Sequence, residues 1–336
     1  MCKPYVLGID IGGTNTVFGM VDARGEVLAS SSIKTKKHSD FNDYLNELHS
    51  EVTRMLADND AEDKILGIGI GAPNANYYTG MIESNVNLPW PTPLPLAQLV
   101  SEKFGIPVTI TNDANAAALG EMTYGAARGL NNFIMITLGT GVGSGIVING
   151  QLVYGEDGNA GELGHTIVCR NNGRLCGCGR TGCLETYCSA TGVARTAREY
   201  LELSEEDSLL RNIPADSITS KDVYDAAMKN DKIANKIFEF TGRVLGEAFA
   251  DFTVFSSPKA IILFGGLAKS GELLMRPIRE AMEKNMMKAF KGNVKLLLSE
   301  LKEADAAVLG ASALGWAAGK ANAFTRPVAV PVEATV

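Results

Sequence analysis

A basic surplus is missing from this sequence. Its 336 residues hold 31 Lys and Arg against 38 Asp and Glu, a formal net charge of −7. That is the wrong sign for a protein that tracks a phosphate backbone, although a few backbone amides can still hold a small phosphorylated ligand. A Gly-Lys-Ser/Thr tripeptide is also absent, which excludes a P-loop. The opening MCKPYVLGID has neither the long apolar core nor the small-residue cleavage site of a signal peptide. The expected setting is therefore cytoplasmic, where clustered cysteines mean metal or catalysis more often than disulfides. One uncharged stretch, Gly129 to Gly155, is long enough to span a bilayer. Turn signals at Asn131-Asn132, Gly139-Thr140-Gly141 and Asn149-Gly150 break it into two or three buried strands instead.

What is present is an ordinary globular composition, 46% hydrophobic and 21% charged, at a length that suits two domains. Residues 5–33 alternate strand and turn. Phe41, Tyr44, Leu45, Leu48, Val52, Met55 and Leu56 then recur at helical spacing. The proline-rich 88–95 segment predicts an ordered surface loop. A short strand at 108–112 leads into a helix starting around Asp113. A second series follows: strands around 133–153, helical patterns near 189–203 and 221–257, a strand at 260–266, a helix near 271–290, the strand VKLLLS and a small-residue helix at 306–319. Both halves open with an apolar strand, a glycine turn and a returning strand, so the chain reads as duplicated at domain scale.

The glycine turns carry chemistry. Gly139-Thr140-Gly141-Val142-Gly143 looks like a dinucleotide fingerprint, but a strand follows it where that fingerprint needs a helix. What remains is a turn whose backbone amides can nest phosphate oxygens. Asp10-Ile11-Gly12-Gly13-Thr14 is its counterpart: the glycines admit an anion, Thr14 donates a hydroxyl, and Asp10 can hold Mg²⁺ through water. Gly265-Gly266 allows flat approach of an adenine or ribose. Any one of these alone is a plain hairpin or corner; all three in this order are harder to dismiss.

Four of the six cysteines and one of the three histidines fall between residues 164 and 185. Cys176, Cys178 and Cys183, with His165 upstream, make a complete tetrahedral zinc set without an open position, which argues for a structural metal. A redox pair is the rival, but Cys-x-Cys lacks the Cys-x-x-Cys spacing. Cys169 and Cys188 fall outside the pattern and read as buried small residues. Asn112-Asp113 ends a strand and opens a helix. There an aspartate is either an N-cap or a carboxylate presented at a strand's edge.

DIGGT, LGTGVG, GELGH, CGCGRTGCLE and the late FGG stand in the order seen in the ROK family of sugar kinases, within the actin/hexokinase-like ATPase superfamily. The resemblance covers residues 5–320 and is closest to the family's bacterial glucokinases. It implies an α/β, ribonuclease H-like fold of two domains with an active-site cleft between them, expected at 1–112 with a returning helix 305–322, and at 113–304, followed by a loose tail 323–336. It implies ATP- and Mg²⁺-dependent phosphorylation of a hexose by a homodimer, with structural Zn²⁺ and no nucleic-acid or membrane partner. Glucose phosphorylated at O6 is the expected substrate, and N-acetylglucosamine, N-acetylmannosamine, allose and fructose are the alternatives. By the same resemblance Asp113 is the general base, while Asn87, Asn112, Glu162, His165 and Glu185 contact the sugar. Asp10, Gly12, Gly13, Thr14, Thr140, Gly141, Gly265 and Gly266 contact the nucleotide. Asn15 departs from the lysine that many members carry there. A sugar-sensing repressor of the same family is the non-enzyme rival; such repressors begin with a helix-turn-helix, for which a first strand at residue 5 leaves no room.

Overall fold

The computed structural model describes residues 4–84 and 88–321. Asn87 and the 323–336 tail, both singled out in the sequence, lie outside those residues. The chain forms two compact units. Unit 1 takes the described residues through Thr111 and those from Ala307 onward, and unit 2 spans Asn112–Ala306.

In unit 1, strands β1 (Tyr5–Ile11), β2 (Asn15–Val21), β3 (Val27–Lys34), β4 (Ile65–Gly71) and β5 (Val108–Thr111) form one sheet in the order β3-β2-β1-β4-β5. The first three strands pair antiparallel, while β1, β4 and β5 run parallel. Helix α1 (Phe41–Ala57) starts where the Asp40 side chain accepts from the amides of Asn42 and Asp43, satisfying two orphan donors. It buries the seven residues whose spacing announced it. Helix α2 (Leu96–Phe104) precedes β5.

Unit 2 repeats the plan. After α3 (Asp113–Tyr124) come β6 (Phe133–Leu138), β7 (Val142–Ile148) and the two-residue β8 (Gln151–Leu152). Helices α4 (Glu185–Cys188), α5 (Ala190–Leu203), α6 (Ser220–Ala227) and α7 (Lys232–Ser256) follow, then β9 (Ala260–Phe264), α8 (Glu272–Asn285) and β10 (Lys295–Leu298). The sheet order β10-β9-β6-β7-β8, with β6, β7 and β8 antiparallel and β6, β9 and β10 parallel, matches that of unit 1 strand for strand. The uncharged 129–155 stretch is this hairpin system. No helix among the described residues is long and apolar enough to cross a membrane.

The last helix, α9 (Glu303–Ala321), lies against the unit 1 sheet from Ala307 onward. Contact is close enough that a Cβ on Gly8 would sit 2.1 Å from the Val308 carbonyl oxygen, and one on Gly69 1.9 Å from that of Ala311. Glycine in the strands and alanine in the helix are what permit it.

Two expectations from the sequence need correction. The helical pattern at 221–257 is two helices: Asn230 adopts a left-handed conformation (φ 62°), and the Asp231 side chain caps α7 by accepting from the Ala234 amide. The 88–95 segment is not only a surface loop. Its Trp90 is 1% exposed, edge-on to Phe41 at 5.1 Å and against Tyr44 at 4.4 Å. Burying an aromatic of this size contributes roughly 1.5–3 kcal/mol, enough to draw a proline-rich loop into the core.

Candidate active site and metal centre

The ligand atoms of His165, Cys176, Cys178 and Cys183 all lie within 4.8 Å of one another. Cys176 Sγ stands 3.7 Å from His165 Nδ1, and Cys178 Sγ 3.7 Å from Cys183 Sγ. A tetrahedron with Zn–S bonds of about 2.3 Å has edges of about 3.7 Å, so these two separations match a zinc tetrahedron and the rest stay within 4.8 Å. Burial pushes the Cys176 thiol up to about 12, and a thiolate there calls for a cation beside it. His165 presents its other nitrogen, Nε2, toward Glu162 Oε2 at 3.9 Å. One ring can thus serve the metal through Nδ1 and a substrate through Nε2.

Bridges between Ile167 and Cys183 and between Leu175 and Thr181 brace the loop that carries these ligands. Gly182 (φ 83°) is packed so closely that a Cβ there would lie 1.9 Å from the Cys169 carbonyl oxygen. Beneath the loop sits Arg174, a residue that no motif or spacing marks. Its buried guanidinium donates to the Thr186 carbonyl (2.7 Å), Thr196 Oγ1 (2.9 Å) and Glu199 (2.5 Å), and lies 4.5 Å from the centre of the Tyr187 ring. Its backbone amide donates to Tyr187 Oη. A lone arginine inside GRLC carries no sign of partners twelve to twenty-five residues ahead. Cys188 is fully buried as expected, but Cys169 is half-buried and its thiol donates to the Asn171 carbonyl.

Asp113 is the first residue of α3, not its cap. Asn112 holds the cap position, its Oδ1 accepting from the Ala114 amide at 2.8 Å. Asp113 is reached by solvent, yet the surrounding protein raises its carboxyl above the ordinary aspartate range against the pull of the Ala114 and Asp113 amides. Burial also raises Glu162; His165 opposes that shift, and the charges of Asp113 and Glu185 add to it. Three carboxylates and one imidazole therefore feel one another within unit 2. Glu162 is placed by Ser144 of β7, whose Oγ accepts from the Leu163 amide and donates to the Gly161 carbonyl. Glu185 opens α4, with Oε2 accepting from the Val142 amide at 3.0 Å and Oε1 3.4 Å from Cys176 Sγ.

The glycine turns sit where strands end. In unit 1, Asp10 is the next-to-last residue of β1 and the 12–14 turn leads into β2, with the Gly12 amide donating to the Asn15 carbonyl. Asn15 Oδ1 accepts from Lys34 Nζ at 2.8 Å, its cross-strand neighbour. In unit 2, residues 139–141 join β6 to β7. Gly265 (φ 101°) follows β9, packed against the end of β6.

Comparison with known proteins finds relatives along almost the whole chain. The ROK family profile matches residues 6–317. The glucokinase of Halalkalibacterium halodurans is 35% identical over 319 residues, covering 94% of this chain and 95% of the relative. A xylose repressor of Caldicellulosiruptor bescii is 30% identical over 311 residues, 92% of this chain and 77% of the repressor. Among solved structures, a ROK family glucokinase from Streptomyces griseus in complex with glucose and AMPPNP is 32% identical. It superposes with a TM-score of 0.76 and covers 93% of this chain and 99% of its own. The duplicated sheets, the Cys-His set and the glycine turns have a single common explanation: the chain belongs to the ROK family.

Proposed function

We propose that this protein transfers the terminal phosphoryl group of ATP to glucose O6, giving glucose 6-phosphate and ADP. The observation that carries the reading is the grouping of Asp113, Glu162, His165 and Glu185 in unit 2, with the histidine's Nδ1 toward the cysteine sulfurs and its Nε2 toward Glu162. The glucokinase names of the relatives and the glucose and AMPPNP in the Streptomyces griseus structure support it.

Asp113 acts as general base. As the sugar O6–phosphorus bond forms, the hydroxyl proton passes to its carboxylate and the bond from phosphorus to the β–γ bridging oxygen breaks, leaving its electron pair on ADP. A raised carboxyl pKa favours this step, because a more basic carboxylate accepts the proton more readily. Asn112 spends its Oδ1 on the cap, which leaves its NH₂ end to donate to a sugar oxygen. Glu162 and Glu185 accept from sugar hydroxyls, and His165 donates through Nε2. Asn87 is assigned to the sugar by the family resemblance alone.

The amides and hydroxyls at Gly13, Thr14, Thr140 and Gly141 hold phosphate oxygens beside Gly12, whose own amide is given to the Asn15 carbonyl, and Gly265 and Gly266 hold the nucleoside. Magnesium, when bound, neutralises charge on the phosphate oxygens, and Asp10 is the residue to hold it through water. Zinc on His165, Cys176, Cys178 and Cys183 supplies rigidity with no open position. The family resemblance further implies a cytoplasmic homodimer. A coupled assay of ADP release over a panel of hexoses tests the reading. Glucose should give the highest kcat/KM; no hexose-dependent ADP from any sugar would overturn it.

A further inference from the structure

The segment that follows the last cysteine ligand is bonded to the glycine turn between β6 and β7. Thr191 Oγ1 donates to the Thr140 carbonyl at 2.9 Å, and the Ala190 amide donates to the Gly139 carbonyl at 2.8 Å. From the other side, Glu185 Oε2 accepts from the Val142 amide, and a Cβ on Gly141 would lie 2.3 Å from that same oxygen. The Thr191 hydroxyl is itself held: Ser189 Oγ lies 2.9 Å from it and accepts from the Gly192 amide at 3.0 Å. Donors and acceptors run in one consistent direction, from the Gly192 amide through Ser189 and Thr191 to the Thr140 carbonyl.

These contacts matter because a turn binds phosphate only when its amides face the anion and its carbonyls face away. Two of the three carbonyls at 139–141 are drawn toward the start of α5. Arg174 fixes the same segment from below, through the Thr186 carbonyl and Thr196. We infer that residues 185–191 act as a strut that sets the 139–141 turn for the nucleotide's phosphates, with Thr191 as its positioning residue, so that the metal loop supports nucleotide binding as well as sugar binding. The inference rests on the phosphate role proposed above for Thr140 and Gly141.

Thr191 is exposed, outside the buried core, and touches neither sugar nor nucleotide in this scheme. Thr191→Val keeps the shape and removes the donor. One hydrogen bond to a turn carbonyl corresponds to about threefold to tenfold in affinity. The dissociation constant for AMPPNP should therefore rise by about that factor in Thr191→Val, with glucose affinity within about twofold of the parent. Thr191→Ser, which restores the hydroxyl, should bring AMPPNP affinity back, and Thr191→Ala should behave like valine. Unchanged AMPPNP affinity in the valine and alanine variants, or equal losses for both ligands, would overturn the strut. Failure of the parent protein to bind AMPPNP would instead sink the phosphate assignment itself, and the strut with it.

Discussion

At residue scale the question is whether Asp113 is there for the helix or for the substrate. Asn112 already caps α3, so the helix has no need of a second acceptor. Asp113→Asn keeps the shape but cannot take a proton, and turnover should fall by about 10²–10⁴-fold while glucose affinity changes little. In the parent, kcat/KM should decline on the acid side with a midpoint above the ordinary aspartate value of about 3.9, because the carboxyl is raised and the ionised form is the active one. The stability effect has the opposite sign. A carboxyl whose pKa is raised on folding binds its proton more tightly in the folded chain, so stability is greatest below the unfolded pKa and falls as pH climbs through the folded one. At neutral pH the charge is a cost, and Asp113→Asn should melt higher than the parent in a thermal scan. A variant that melts lower with activity intact would return Asp113 to a structural role.

At the scale of elements, two contacts that no periodicity reveals hold the pieces in place. Arg174→Met removes four side-chain hydrogen bonds from a buried site and leaves the Thr186 carbonyl and Thr196 hydroxyl short of a donor. The expected loss is about 2–4 kcal/mol, read from denaturant unfolding, with weaker metal retention under chelator. Gly69→Ala drives a methyl into the Ala311 carbonyl, so α9 must shift, at a cost of about 3 kcal/mol or more. The legible parts of the site were those written locally. Cys176, Cys178 and Cys183 announce themselves by spacing, α1 by its seven apolar positions, and the 139–141 turn by glycine between two strands. Arg174, Ser144 and Thr191 were not legible because each acts on a partner twelve to fifty-one residues away, with nothing in its own neighbourhood to mark it. Trp90 misled for a related reason: proline signals irregular backbone, and irregular backbone can still carry a core side chain.

At the scale of the whole molecule, one sheet order occurs twice, and a glycine turn follows the equivalent strand in both copies: residues 12–14 after β1 and 139–141 after β6. Duplication was visible in the sequence because strand, glycine turn and strand recur in order. The strand order itself was not, since β4 and β9 join their sheets across long connections. One zinc per chain should be found by elemental analysis of purified protein, and its removal should weaken glucose binding at least tenfold by releasing His165 and the loop it anchors. Zinc near zero with full activity would contradict that. The central claim is phosphoryl transfer to glucose, and ³¹P NMR of the protein incubated with ATP, magnesium and glucose tests it most directly. The account predicts a glucose 6-phosphate resonance growing in step with ADP in the parent and slowed by about 10²–10⁴-fold in Asp113→Asn. Phosphate released to water without a sugar phosphate, or the same rate in both proteins, would contradict it.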